Sequence, residues 1–234
     1  MERKHGIMSA EKFLIGSGYW HPSGGSKKAS DFHKIWLYNI TKHANGPIYT
    51  IGVDSCHPEF QHANEVFIPL IGNCGHIGDL INGNKERQIC GWSASICFLA
   101  LLAYNNESSF IYVEQDCLWF GDVIGQMYQD MGDRQMVFGR KMESPPWMGC
   151  AQSTFLIRHN FIPEFVSRYL ALPEDRLMLP ESKFTTLEEQ TPEKFARLSF
   201  GVDRERPIPW ESPVWYCQQW TQDELDRARE RKLI

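Results

Sequence analysis

The chain has 234 residues, 42% hydrophobic and 23% charged, enough for one sizeable domain with an ordinary core. A net charge of −5 argues against a general nucleic-acid surface or an anionic-membrane surface, and leaves room for a small phosphate-bearing ligand. The aromatic share of 13%, with eight tryptophans, serves either a ring-rich core or stacking on flat ligands.

In chain order, residues 13–20 (FLIGSGYW) predict a first strand running into a Gly-rich loop that ends at Ser30. Ser30 or Asp31 is placed to cap a helix, along which Phe32, Ile35, Trp36, Asn39 and Ile40 share one face. Residues 48–53 (IYTIGV) predict a short, fully buried strand closing on Asp54 and Ser55, and residues 66–71 a third closing on Asn73-Cys74-Gly75. A helix is expected over residues 89–104, apolar nearly all round and therefore sandwiched between layers. A strand over 110–113, a helix over 122–131, strands over 135–139 and 148–157, and a helix over 162–171 follow. This alternation predicts an α/β fold, an open, mostly parallel sheet flanked by helices, with the polar, proline-punctuated C-terminal part as a covering segment. Residues 221–231 predict a charged terminal helix capped by Thr221.

The seven cysteines (56, 74, 90, 97, 117, 150 and 217) have no CxxC spacing, and several lie in apolar runs, as reduced buried thiols do. The N-terminal stretch lacks the apolar core of a signal peptide, and the longest apolar run, residues 96–103, is too short to cross a bilayer. These features lead us to expect a cytoplasmic protein with no transmembrane segment and no nucleic-acid partner.

The most informative stretch is residues 110–122, FIYVEQDCLWFGD. A buried strand stops on Glu114 and Asp116, acids one residue apart, which an extended segment turns to the same side. Hard divalent cations take carboxylate oxygens, and a cation held by few protein groups completes its shell with phosphates. In open α/β sheets ligands bind at the carboxyl ends of strands, where Asp54, Asn73, Glu114 and Asp116 all fall.

Order and spacing over roughly residues 10–175 resemble a GT-A-fold, nucleotide-sugar-dependent glycosyltransferase. The helix GWSASICFLALLAY leading into YVEQDC resembles the segment before that family's metal-binding DxD motif, here Glu114-Gln115-Asp116. Glutamate at the first position departs from the motif, leaving Asp116 as the principal ligand of Mn²⁺ or Mg²⁺ and Glu114 to reach a ribose hydroxyl or a metal-bound water. The resemblance implies transfer of a sugar from a nucleotide-diphosphate donor to a hydroxyl of a carbohydrate, lipid-linked or protein acceptor. It implies a single domain, 1–234, in which 10–116 bind the nucleotide sugar, 117–180 form the acceptor side and 181–234 a C-terminal segment. Asp54 and Ser55 are similar to the acidic end of the second strand that holds the nucleoside, and Tyr19 and Trp20 stand where such enzymes seat the base. Glu174, Asp175 and Glu181 are the candidate bases that an inverting enzyme would need.

Asp203, Arg204 and Arg206 crowd together before Pro207, with aromatics at 210, 215, 216 and 220. Arginine forks suit phosphates and tryptophan faces suit sugars; a packed tail held by an Asp-Arg pair is the other reading. A zinc site from Cys56, His57, His62, Cys74 and His76 has suitable ligand types but unsuitable spacing. The rivals in function are a sugar-phosphate nucleotidyltransferase, although HPSGGSKK matches its first loop poorly, and a non-catalytic nucleotide- or carbohydrate-binding protein.

Overall fold

The computed structural model describes residues 11–19, 27–53, 62–70, 88–139, 152–201 and 204–234, with the backbone alone for 27–31. Its strands are β1 (Phe13–Tyr19), β2 (Ile48–Gly52), β3 (Glu65–Pro69), β4 (Ser109–Val113), β5 (Leu118–Phe120), β6 (Met136–Phe138), β7 (Thr154–Ile157), β8 (Phe195–Arg197) and β9 (Trp215–Cys217). Its helices are α1 (Lys27–Thr41), α2 (Gly91–Asn105), α3 (Val123–Met131), α4 (Ile162–Ala171), α5 (Pro180–Gln190) and α6 (Gln222–Glu230). Seven strands form one open sheet in the order β3-β2-β1-β4-β7-β6-β8. Every pairing is parallel except the two made by β7, which runs against both β4 and β6.

Alternation along the strands divides the core between the two faces of the sheet. Ile15, Ile111 and Val113 point to one face, beneath Trp36, Leu37 and Ile40 of α1, Met127 of α3 and Leu225 of α6. Leu14, Phe110 and Tyr112 point to the other, beneath Leu99 of α2, Phe165 of α4 and Phe184 of α5. Helix α2 lies close on β1 because β1 carries glycine where they meet: a Cβ on Gly18 would stand 2.6 Å from the Ser95 hydroxyl. The sandwich expected for α2 is partial, since Phe98, Leu101 and Tyr104 remain 40–43% exposed on its outer side.

The C-terminal part does more than cover. It adds β8 to the main sheet and β9 to a small antiparallel sheet with β5, pairing Leu118 with Cys217 and Phe120 with Trp215. The free backbone edge of β5 is answered by Asn39, the one polar residue on the predicted apolar stripe of α1. Its side-chain nitrogen donates to the Trp119 carbonyl at 2.9 Å, and its oxygen accepts from the Trp119 amide at 2.8 Å. The recurring aromatics of the tail pack on one another: Trp215 stacks on Phe120 at 4.0 Å and Trp210 stands edge-on to Trp215. Trp215, Tyr216 and Trp220 are thereby buried and offer no ring face to a ligand. Thr221 caps α6 through a capping box with Glu224.

Candidate active site

Parallel β1, β2 and β4 end side by side, and just beyond their carboxyl ends lies a cavity of about 320 Å³. Gly18 and Tyr112 lie at its base, and Val53 follows β2 into its wall. Glu114, Gln115 and Asp116 line it from the turn after β4, Cys90, Gly91 and Trp92 from the start of α2, and Pro180 and Glu181 from the first turn of α5. Arg204 and Gln219, from the C-terminal part, complete the lining.

The acidic turn is held by its own backbone. The Glu114 amide donates to Ser153 at 2.7 Å, fastening it to the start of antiparallel β7, and the Cys117 amide donates back to Glu114 at 2.9 Å. The chain then leaves the main sheet and enters β5, so the acids sit at the junction of two sheets.

Asp116 has its Oδ1 out of solvent contact and without a hydrogen-bond partner among the described residues. Burial raises its pKa above the ordinary carboxylate value, against the opposing pull of the Arg204 charge and of the backbone amides of Asp116 and Gln219. The Gln219 amide reaches the acid from a backbone with φ of 58°, a left-handed conformation uncommon outside glycine. Tyr112, hydrogen-bonded to the Gly18 backbone and to Ser95, has its phenol pushed well up by burial and by the Glu114 charge, so it stays protonated as a fixed floor.

The other candidate residues distribute as follows. Glu181 and Arg204 join Glu114 and Asp116 around the cavity. Glu174 pairs with Arg176 at 2.5 Å. Asp175 is fully buried behind the wall, 2.6 Å from the Lys183 ammonium and accepting from the Cys90 amide at 2.7 Å. Arg206 turns away to Glu224 and to the carbonyls of Gln218 and Gln219. Tyr19 is 2% exposed, its ring edge-on to His33 at 4.7 Å and to Phe67 at 6.1 Å. Trp20, Asp54, Ser55 and Asp203 lie outside the described residues, as do Cys56, His57, Cys74 and His76 of the zinc alternative. No group of three or more His, Cys, Asp or Glu side chains suited to a metal occurs among the described residues.

Sequence reasoning did not single out Trp92, Gln115 or Gln219. Trp92 reads as one more apolar residue of α2, and nothing local in QQW shows that a backbone amide from a distant segment will reach Asp116. Cys90, also in the wall, has its thiol raised to about 12 by burial first and by the Asp175 charge second, which makes it a poor nucleophile.

No protein-family model matches the chain, and no curated protein matches it in sequence. Solved structures do match in shape. The galactosyltransferase LgtC, in complex with donor and acceptor sugar analogues, superposes with a TM-score of 0.51 at 13% identity, covering 94% of each chain. Mouse xyloside xylosyltransferase 1 in its apo form gives 0.50 at 10% identity, covering 92% of this chain and 98% of the other. Two structures of the glycosyltransferase GlyE from Streptococcus pneumoniae TIGR4 give 0.45 and 0.49 at 12% and 14% identity, and this chain spans 45% of their length. The fold, an open and mostly parallel sheet flanked by helices, is that of GT-A-type glycosyltransferases.

Proposed function

We propose that this protein is a glycosyltransferase that moves a sugar from a nucleotide-diphosphate donor to a hydroxyl acceptor with a divalent cation. The observation that carries the reading is convergence: three separate stretches of sequence supply Glu114 and Asp116, Glu181, and Arg204 to one cavity at the strand ends. A ligand presenting both a diphosphate and a sugar uses all of them.

The donor set fits a cation that takes most of its ligands from phosphate. Asp116 offers a buried oxygen with no hydrogen-bond partner among the described residues, and Glu114 lies two residues away on the same turn. Asp116, assisted by Glu114, would hold Mn²⁺ or Mg²⁺. When bound, the cation supplies Lewis-acid neutralisation of the charge that develops on the departing diphosphate.

The chain's own residues do the rest. Arg204 orients the diphosphate through its planar fork, so that less freedom is lost per contact than with lysine. Asp54 and Ser55 seat the nucleoside in this reading. If transfer inverts the anomeric centre, Glu181 is the carboxylate at the cavity that takes the proton from the acceptor hydroxyl. Asp175, paired and shut behind the wall, does not compete for that role.

The test is a thermal-shift screen of nucleotide sugars with and without Mn²⁺, followed by chromatographic detection of released nucleoside diphosphate. The expected result is a metal-dependent rise in midpoint with at least one donor, and product release that Asp116→Ala abolishes. No shift with any donor, or full turnover by Asp116→Ala, overturns the reading. Pyrophosphate released from a nucleoside triphosphate and a sugar phosphate would point to nucleotidyl transfer instead.

A further inference from the structure

We propose that Trp92 and Glu181 form a subsite for a pyranose ring on the α2–α5 side of the cavity, held in shape by the buried Asp175–Lys183 pair. The inference deepens the glycosyltransferase reading and rests on it for the role of the bound sugar.

Two aromatic rings line the cavity among the described residues, and they differ in access. Tyr112 is buried to 1% exposure, whereas Trp92 is only partly buried. Trp92 is also aimed by its neighbours: its ring stands edge-on to Tyr112 at 5.7 Å and tilted against Phe184 at 5.8 Å. A pyranose has an apolar C–H face and a rim of hydroxyls, so it needs a fixed ring beneath it and acceptors beside it. Glu181, with Gln115 and Gln219, supplies such partners within the same cavity. At about 320 Å³ the cavity lies at the small end of small-molecule pockets, roughly 300–1,000 Å³, as suits a sugar ring.

The wall is built rather than incidental. The Asp175 carboxylate accepts from the Cys90 amide, two residues before Trp92, and pairs with Lys183, two residues after Glu181. The Asp175 amide donates to Gln88, closing the same junction from its other side. Lys183 lies 4.8 Å over the Tyr169 ring, and the Tyr169 hydroxyl shares a 2.7 Å hydrogen bond with Ser93 of α2. One chain of contacts therefore joins the starts of α2 and α5 through α4, with side-chain exposures of 1% for Lys183 and 0% for Asp175. A buried ion pair is a weak device for stability and a good one for fixing geometry.

The experiment uses the full chain labelled with ¹⁵N at tryptophan. The indole signal missing from Trp92→Phe identifies Trp92, and methyl glycosides of glucose, galactose and xylose are the probes. The expected result is that at least one pyranoside moves the Trp92 signal. Trp92→Ala should weaken binding of that pyranoside about tenfold, near the upper end for one ring contact. Trp210→Phe, in the C-terminal aromatic cluster, should leave binding unchanged. The double variant Asp175→Asn with Lys183→Met, which leaves no unpaired buried charge, should lose more affinity for the pyranoside than for the nucleotide. No movement of the Trp92 signal with any pyranoside, or movement confined to another indole, overturns the proposal. Sugar binding at Trp92 without donor turnover would keep the subsite and remove the glycosyltransferase reading; donor turnover with an unresponsive Trp92 would do the reverse.

Discussion

Two aspartates bracket this cavity and are treated in opposite ways. Asp175 is fully buried, and its charge is answered inside the protein by Lys183 and the Cys90 amide. Asp116 meets the Arg204 charge and the backbone amides of Asp116 and Gln219, which do not offset its burial, and its pKa rises accordingly. Folding answers the first charge; the second is the one we propose a bound cation meets. The pair teaches that burial alone does not single out a site acid; what separates the two is the Lys183 ammonium at 2.6 Å from Asp175.

The sharpest way to break the comparison is at Asp116. Asp116→Ala should lower donor turnover by about a hundredfold to a thousandfold, the scale on which a group facing developing charge acts. Asp116→Asn should share that loss while raising the melting midpoint. The sign follows from the raised pKa. A carboxylic acid whose folded-state pKa lies above its unfolded value binds its proton more tightly when folded. The charged form therefore costs stability above the folded pKa, and the cost is relieved as pH falls toward the unfolded value. The amide abolishes it at neutral pH. Product release by chromatography and calorimetry measure the two effects; an unchanged or lower midpoint for Asp116→Asn would remove the contrast with Asp175.

At Asp175 the prediction inverts. Asp175→Ala leaves the Lys183 ammonium buried and unanswered, a loss of about 3–5 kcal/mol in urea denaturation. Replacing both partners by neutral side chains of similar size should restore most of it. A loss on the scale of a surface pair, about 1 kcal/mol or less, would show that water reaches Lys183 after all.

The sequence offered both residues as site acids, Asp116 for a metal and Asp175 as a base, and the reason it went no further is physical. Strand ends and helix starts follow from local periodicity, so β1, β2, β4, α3 and α4 fall within a few residues of where the pattern places them. Glu114 and Asp116 are legible for the same reason, as acids terminating an apolar run. Partnership across the chain is not local. Nothing in residues 174–183 tells that Asp175 will face Lys183 and a distant amide while Glu181, two residues before that lysine, faces a cavity. The reversed direction of β7, the β5–β9 pairing and the tail's aromatic cluster likewise depend on contacts between remote segments. The aromatic run at 210–220 reads equally well as a ligand platform or a core, and only its ring-on-ring packing decides for the core.

A smaller effect tests how the C-terminal arm reaches Asp116. Gly201, three residues before Arg204, has φ of 89°, and a Cβ there would stand 2.1 Å from the Tyr216 ring. Gly201→Ala should cost about 1–3 kcal/mol by equilibrium unfolding. It should also raise the donor KM more than it lowers kcat, because it displaces Arg204 without touching the acids. A fall in kcat with KM unchanged would place Arg204 in the chemical step and not in donor binding.

The smallest expected change is at Gln219, the non-glycine residue whose left-handed backbone aims an amide at Asp116. Gln219→Gly keeps that amide, removes the Cβ penalty of the left-handed region and adds glycine's own chain entropy. The net gain is about 1 kcal/mol at most. If the strained residue serves only to cap the end of β9, the glycine variant should be more stable and fully active. If the Gln219 side chain at the cavity also holds ligand, the variant should be more stable and weaker for sugar. Melting midpoints and pyranoside titrations on the same samples separate the two. They also show whether the strain beside Asp116 serves the fold alone or also the site we propose around that acid.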